Sequence, residues 1–245
     1  MADVFAGCLL ERLPSARALT AARFFEYAPR PPLPTLATLS RIRKQATIWP
    51  RISLVAPKST WTTQRGPMRP GPELEAGIDW LTRVSDILSA FAIVLATGSE
   101  LTTGERDGEL LASFVERLRP TGRTIVIAPR GLWEPEYAVP FAERIGATYG
   151  FDPLEHEAPE GKLVYGRVRP MGARPRLTEG HIAQIAERVS SAVCEQAFVS
   201  LESDQCVRES KRLANQIAEL QGLDVAEEDD SDEEDDSDEE DADED

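Results

Sequence analysis

The stretch TIVIAPRGLWEPEYAVPFAERIGATYGF, from Thr124 to Phe151, reads as one complete strand–helix–strand unit. Thr124 to Ala128 is a short apolar run rich in β-branched residues and stopped by Pro129, the pattern of a strand covered on both faces. Pro135 suits the first turn of a helix, where a missing N–H leaves no bond unmade. Ala138, Phe141, Ala142 and Ile145 then share one face, and Gly146 supplies the close. A second apolar run follows at once, Ala147 to Phe151. Two strands joined through a helix lie parallel, and the crossover is right-handed.

Working outward, the same unit recurs along the chain. Further strand-like runs fall at Val4 to Leu9, Ala22 to Tyr27, Ile52 to Ala56, Ala92 to Ala96, Leu163 to Val168 and Ala197 to Leu201. Helical patterns fill most of the gaps. Thr102 to Glu105 has the TxxE form of a capping box, with Leu110, Leu111, Phe114, Val115 and Leu118 behind it. Pro72 suits another first turn, Ile182, Ile185, Ala186, Val189 and Val193 form a further stripe, and Val207, Ala214, Ile217 and Leu220 form the last. Eight strands with intervening helices predict an α/β fold, a closed (β/α) barrel. A doubly wound open sheet is the alternative, but neither GxGxxG after the first strand nor GxxxxGK[ST] anywhere is present. Asp152 to Lys162 holds no helical pattern, so the barrel is expected to be irregular there.

Charge divides the chain. Net charge is −16, yet sixteen of the 43 acidic residues lie between Glu227 and Asp245, and the remaining 27 equal the 27 basic ones. The terminal stretch repeats DDSDEE and has no branched apolar or aromatic residue to bury, which predicts a disordered acidic tail over 222–245 behind a barrel over 1–221. Nothing resembles a signal peptide or a membrane span, which points to a soluble, cytoplasmic protein. Cys8, Cys194 and Cys206 form no CxxC pair and are expected to be buried free thiols.

The strand ends, read in order, carry FFEYAPRPP, VAPKSTW, APRGLWEPE, YGRVRP and FVSLESD followed by VRESKRLANQI. In this order the chain resembles the YecE-like family, the domain of unknown function numbered 72, over most of residues 1–221. The resemblance implies an irregular TIM-like barrel, with Tyr27, Lys58, Arg130, Trp133, Arg167 and Asp204 at positions matching the family motifs. It also marks departures. Family acids fall on Ala21 and Ala128, a histidine on Arg169, an asparagine pair on Glu202 and Ser203, and the QLPP motif on Ala96 to Ser99.

In a (β/α) barrel, polar residues at the carboxyl ends of strands converge on the ligand-binding face. Lys58, Arg130, Arg167 and Arg169 fall there, so one expectation is an anion pocket roofed by Trp133 and Tyr27. The other is a rim in which Glu26, Glu100, Glu202 and Asp204 neutralise these cations. His156, among Asp152, Glu155, Glu157 and Glu160, reads as a solvated loop, and His181 as exposed or capping near a helix start. No metal site, cofactor motif or nucleophile motif is found. The basic, Trp-containing strip from Trp49 to Arg69 suggests a nucleic-acid surface or a receptor for the chain's own acidic tail; the tail's other expected partner is a separate basic protein. Two functions follow: a non-catalytic binding or regulatory module with an anion-accepting mouth, or a phosphate-directed, nuclease-like hydrolase using Glu202 and Asp204.

Overall fold

The computed structural model describes residues 2–13, 19, 22–130, 133–169 and 176–223; the acidic tail beyond Leu223, and Ala21, lie outside the described residues. Eight parallel strands close into a barrel. They are β1 (Asp3–Leu10), β2 (Phe24–Tyr27), β3 (Arg51–Val55), β6 (Ala92–Leu95), β7 (Thr124–Ile127), β8 (Thr148–Phe151), β9 (Leu163–Val168) and β10 (Gln196–Leu201), with β1 hydrogen-bonded to both β2 and β10. A small hairpin, β4 (Thr62–Thr63) and β5 (Gly66–Pro67), stands apart. The helices are α1 (Leu36–Gln45), α2 (Lys58–Trp61), α3 (Pro72–Ile87), α4 (Glu105–Leu118), α5 (Pro135–Arg144), α6 (Glu179–Ser190) and α7 (Cys206–Leu220). The closed barrel is the expected fold, and each of its eight strands coincides with an apolar run. Residues 152–162 form turns and loop, without a helix.

Strand alternation sorts the core into two layers. Phe5, Phe24, Val55, Val94, Val126, Tyr165 and Phe198 fill the lumen. The opposite parity, including Ile52, Leu54, Ile93, Ile127, Val164 and Val199, packs outward against the helices. At the foot, where the strands begin, Phe198 stacks between Phe5 and Phe91 at centroid distances of 4.8 and 4.1 Å. Arg51 and Arg23 lie over the Phe5 ring, 4.8 and 5.3 Å from its centroid. The lumen is therefore plugged from below, as in barrels generally. Gly7 permits this crowding, since a Cβ there would stand 2.0 Å from the Phe24 carbonyl oxygen.

Several local expectations shift. The TxxE sequence does not cap α4: the helix starts at Glu105 behind Gly104. Thr102 instead donates its N–H and hydroxyl to Asp107 Oδ2 at 2.9 and 2.8 Å, because a carboxylate is the stronger acceptor. On α7 the buried positions are Glu209, Ser210, Leu213 and Ile217, while Val207 and Leu220 are exposed. Val193 lies past the end of α6 and is also exposed. His181 does cap α6: Thr178 Oγ1 accepts the His181 N–H at 3.2 Å, and His181 Nδ1 accepts the Thr178 N–H at 3.4 Å. Pro72 and Pro135 open α3 and α5 as expected, and Gly146, with φ of 71°, follows α5. The first and last described segments of the chain meet at the foot, where Gln221 Nε2 donates to the Ala2 carbonyl at 3.2 Å.

Candidate functional site at the barrel mouth

Continuing the inward parity past each strand end leads to the site. Arg130 follows Val126 and Ala128; Arg167 and Arg169 follow Tyr165; Ser200 and Glu202 follow Phe198; and Asp152 follows Gly150. These residues, with Trp133, Glu155 and His156, line one cavity of about 360 Å³ at the mouth. A neighbouring recess of about 390 Å³ shares Arg130, Arg167 and Glu202 and adds Thr97 and Glu100.

The deepest of the cations is held rigidly. Arg167 Nε donates to Glu26 Oε1 at 2.7 Å and Oε2 at 3.1 Å, and its Nη2 lies 2.6 Å from Oε1. Glu26, fully buried in the lumen, also accepts the Tyr165 hydroxyl at 2.8 Å. Tyr165 OH and Ser53 Oγ are 2.5 Å apart, both buried. Four residues from three strands thus satisfy one another beneath the mouth, as buried polar groups must. Burial first, then the Glu26 carboxylate, hold the Tyr165 phenol well above its ordinary value.

The two outer arginines are held loosely. Glu202 stands between them, with Oε1 3.3 Å from Arg169 Nε and Oε2 3.8 Å from Arg130 Nη2. A guanidinium has five N–H donors, so both keep most of theirs for other partners. Desolvation lowers the pKa of Arg130, and the charges of Arg169 and Arg167 lower it further, against the pull of Glu202 and Asp152. Ser200 borders the first cavity and Thr97 the second; the hydroxyl oxygens of both are buried and have no hydrogen-bond partner among the described residues. A hydroxyl so placed is expensive to leave unpaired.

The other residues expected at the site fall elsewhere. Tyr27 has the outward parity of β2, packs in the layer beneath the helices, and roofs nothing at the arginines. With Asp204 it lines a separate recess between the end of β1 and α1. Trp133 does border the arginine cavity, but it is engaged by its own neighbours: its ring packs against Phe141 and its Nε1 donates to the Leu101 carbonyl at 3.1 Å. Lys58, exposed at the start of α2, pairs with Glu100 at 3.5 Å. Of the acids expected to neutralise the rim, Glu26, Glu100 and Glu202 do so, and no ion pair to Asp204 is found among the described residues.

Sequence reasoning missed Asp152 and Ser200, which the inward parity of β8 and β10 would have found. Asp152 is not part of a solvated loop. Its Oδ1 accepts the Leu154 N–H at 2.8 Å, and burial raises its pKa. Among the described residues no group of three or more His, Cys, Asp or Glu is placed to hold a metal, and no helix is long and apolar enough to cross a membrane. The basic strip is not a single surface. β3 carries it through the core, leaving Arg43, Lys44 and Arg51 at the foot and Lys58 at the mouth. Its tryptophans are engaged: Trp61 Nε1 donates to Ala56 at 3.2 Å, and Trp49 Nε1 to Leu88 at 2.7 Å with Arg43 over the ring.

Comparison with known proteins places the fold. No protein-family model matches the sequence, and no curated protein matches it. Solved structures do. A DUF72 family protein from Enterococcus faecalis superposes with TM-score 0.63 at 12% identity, over 92% of this chain and 98% of that one. A protein from Thermus thermophilus, soaked with zinc chloride, gives 0.56 at 18% identity over 89% and 98%. A D-psicose 3-epimerase in the presence of D-fructose gives 0.51 at 13% identity over 86% and 89%. The relationship to the DUF72 fold implied by the strand-end motifs is therefore present in three dimensions, and what the chain shares with the other solved structures is the TIM-like barrel.

Proposed function

We propose that this chain is a binding module that takes a small anionic molecule, phosphate- or carboxylate-bearing, in the mouth of its barrel. The observation that carries the reading is the convergence of Arg130, Arg167 and Arg169 on one cavity, where a single carboxylate, Glu202, serves two of them at 3.3 and 3.8 Å. Arg167, fixed by Glu26, forms the positive floor. Arg130 and Arg169 are the exchangeable donors, and a bidentate anion matches their planar forks better than one shared carboxylate does. An anion here relieves the repulsion that Arg167 and Arg169 exert on Arg130.

The alternative, a phosphate-directed hydrolase, draws support from different residues than its motifs suggested. Asp204 lines another recess, whereas Asp152, with its raised pKa, faces the arginines beside Glu155 and His156. A carboxyl that keeps its proton longer than usual suits a general acid.

Thermal unfolding in inorganic phosphate and in sulfate separates the readings. Either ion should raise the melting temperature of the full chain through binding to the folded state, and Arg130→Ala should abolish the rise. Equal rises in both proteins would overturn the assignment. Turnover of p-nitrophenyl phosphate that disappears in Asp152→Asn would decide for the hydrolase.

A further inference from the structure

Cys8 and Cys206 are 198 positions apart, yet closure of the barrel brings them together. Cys8 ends the buried part of β1, fully inaccessible, and its Sγ lies 3.8 Å from Ser210 Oγ on α7. Cys206 stands four residues before Ser210 on the same face of that helix. It packs against the small cluster of Cys8, Leu19 and Phe25 but remains partly exposed. Both thiols therefore belong to one cluster between β1 and α7. Cys194, the third thiol, is distant from both in the fold, beyond α6 at the foot.

We propose that Cys206 and Cys8 form a peroxide-oxidisable pair, in which Cys206 is the sulfur that meets the oxidant and Cys8 the sulfur that resolves it to a disulfide.

The first step needs a thiolate at the more open residue. Cys206 has a lowered pKa, through the Cys8 S–H donating to it and, despite burial and the Glu209 carboxylate, through the first N–H groups of α7. Cys8 is shifted upward by that same donation and by burial. The Glu209 carboxylate acts on both thiols, and it is already engaged by the Ser203 hydroxyl and, at 2.8 Å, by the Leu177 N–H.

The chemistry balances with a hydroperoxide as oxidant. Cys206 sulfur attacks the terminal peroxide oxygen, an S–O bond forms as the O–O bond breaks, and the departing alkoxide takes a proton to leave as alcohol, or as water from hydrogen peroxide. Cys206 is then a sulfenic acid. Cys8 sulfur attacks it, the S–S bond forms, the S–O bond breaks, and the hydroxide leaves as water with the Cys8 proton. Two thiols and one hydroperoxide become one disulfide, one alcohol and one water. Burial of Cys8 directly beneath its partner favours this closure over further oxidation.

Treating the full chain with hydrogen peroxide and counting thiols in denaturant tests the pair. Two of the three thiols should be lost, the intact mass should fall by about 2 Da, and dithiothreitol should restore both. Peptide mapping should join Cys8 to Cys206 and leave Cys194 free. In Cys8→Ala the same treatment should leave Cys206 as a sulfenic acid that dimedone traps. Cys194 reacting first, or Cys206 passing to the sulfinic acid while Cys8 stays a free thiol in the wild type, would overturn the proposal, and the wild-type map decides it even if the variant does not fold.

Discussion

Arg167 reaches down from the mouth to Glu26 in the lumen, Nε to Oε1 at 2.7 Å, and makes the most deeply buried ion pair of the barrel among the described residues. Glu26 has no access to solvent, and its oxygens are satisfied by that arginine and by Tyr165. Removing one partner of a buried pair strands the other. Arg167→Met should cost about 3–5 kcal/mol, and the double variant Glu26→Gln with Arg167→Met should recover part of that loss. Urea unfolding of the three proteins measures both; a double variant no better than Arg167→Met would show that the charge is not what matters.

Glu202 competes with any anion for Arg130 and Arg169. At 34% side-chain exposure it is screened by water, so its hold is modest. Glu202→Gln should tighten sulfate binding by about two- to fivefold, the range of a partly exposed pair. Calorimetric titration against the wild type checks this; weaker binding in the variant would place Glu202 among the groups that position the ligand.

Asp152 gives the mouth a pH signature. Burial holds its carboxyl above the ordinary 3.8 despite the Leu154 N–H, and Glu155 adds to the rise. The folded state therefore keeps the proton to higher pH than the unfolded chain does. The stability contributed is complete below 3.8 and is lost as pH rises through the folded value. Asp152→Asn should match the wild type at about pH 4 and exceed it at about pH 7 in denaturant midpoint. A constant difference across that range would refute the coupling.

Gly77 reverses a familiar rule. In an exposed helix Gly→Ala stabilises by up to about 1 kcal/mol. On α3 a Cβ at this position would stand 1.9 Å from the Thr60 carbonyl oxygen of α2, which is backbone and cannot swing away. Gly77→Ala should instead destabilise by about 1–3 kcal/mol, seen as a lower melting temperature.

What the sequence made legible follows from how directly each feature is written into it. Buried parallel strands are apolar runs, so all eight lie close to where those runs place them, and Arg130, Arg167 and Arg169 followed as polar residues at or just past the carboxyl ends. Parity was the weak point. Tyr27 is one residue out of phase with the lumen, while Glu26 beside it, read as a rim acid, is sealed inside. Asp152 and Ser200 are in phase, but one looked like loop and the other like strand filler. The contact of Cys8 with α7 exists only because β1 pairs with β10 across the whole length of the chain, and no local pattern announces it. At Thr102, a carboxylate five residues on displaced the cap that the motif implied.

The hydrogen bond from Gln221 to Ala2 fixes where the polyanionic sequence is rooted. Its root is at the foot of the barrel, on the side of Arg23, Arg43, Lys44 and Arg51, with the plugged lumen between that origin and the arginine cavity. Its sixteen carboxylates should therefore meet the basic foot before they meet the mouth. Cutting the chain after Ala226 should accordingly strengthen heparin binding at low salt, with the gain fading over a Debye length of roughly 8 Å as salt is raised, while leaving sulfate affinity at Arg130 unchanged. The barrel is a spacer in that arrangement: two arginine-bearing poles of one molecule, held apart by a column of packed apolar side chains.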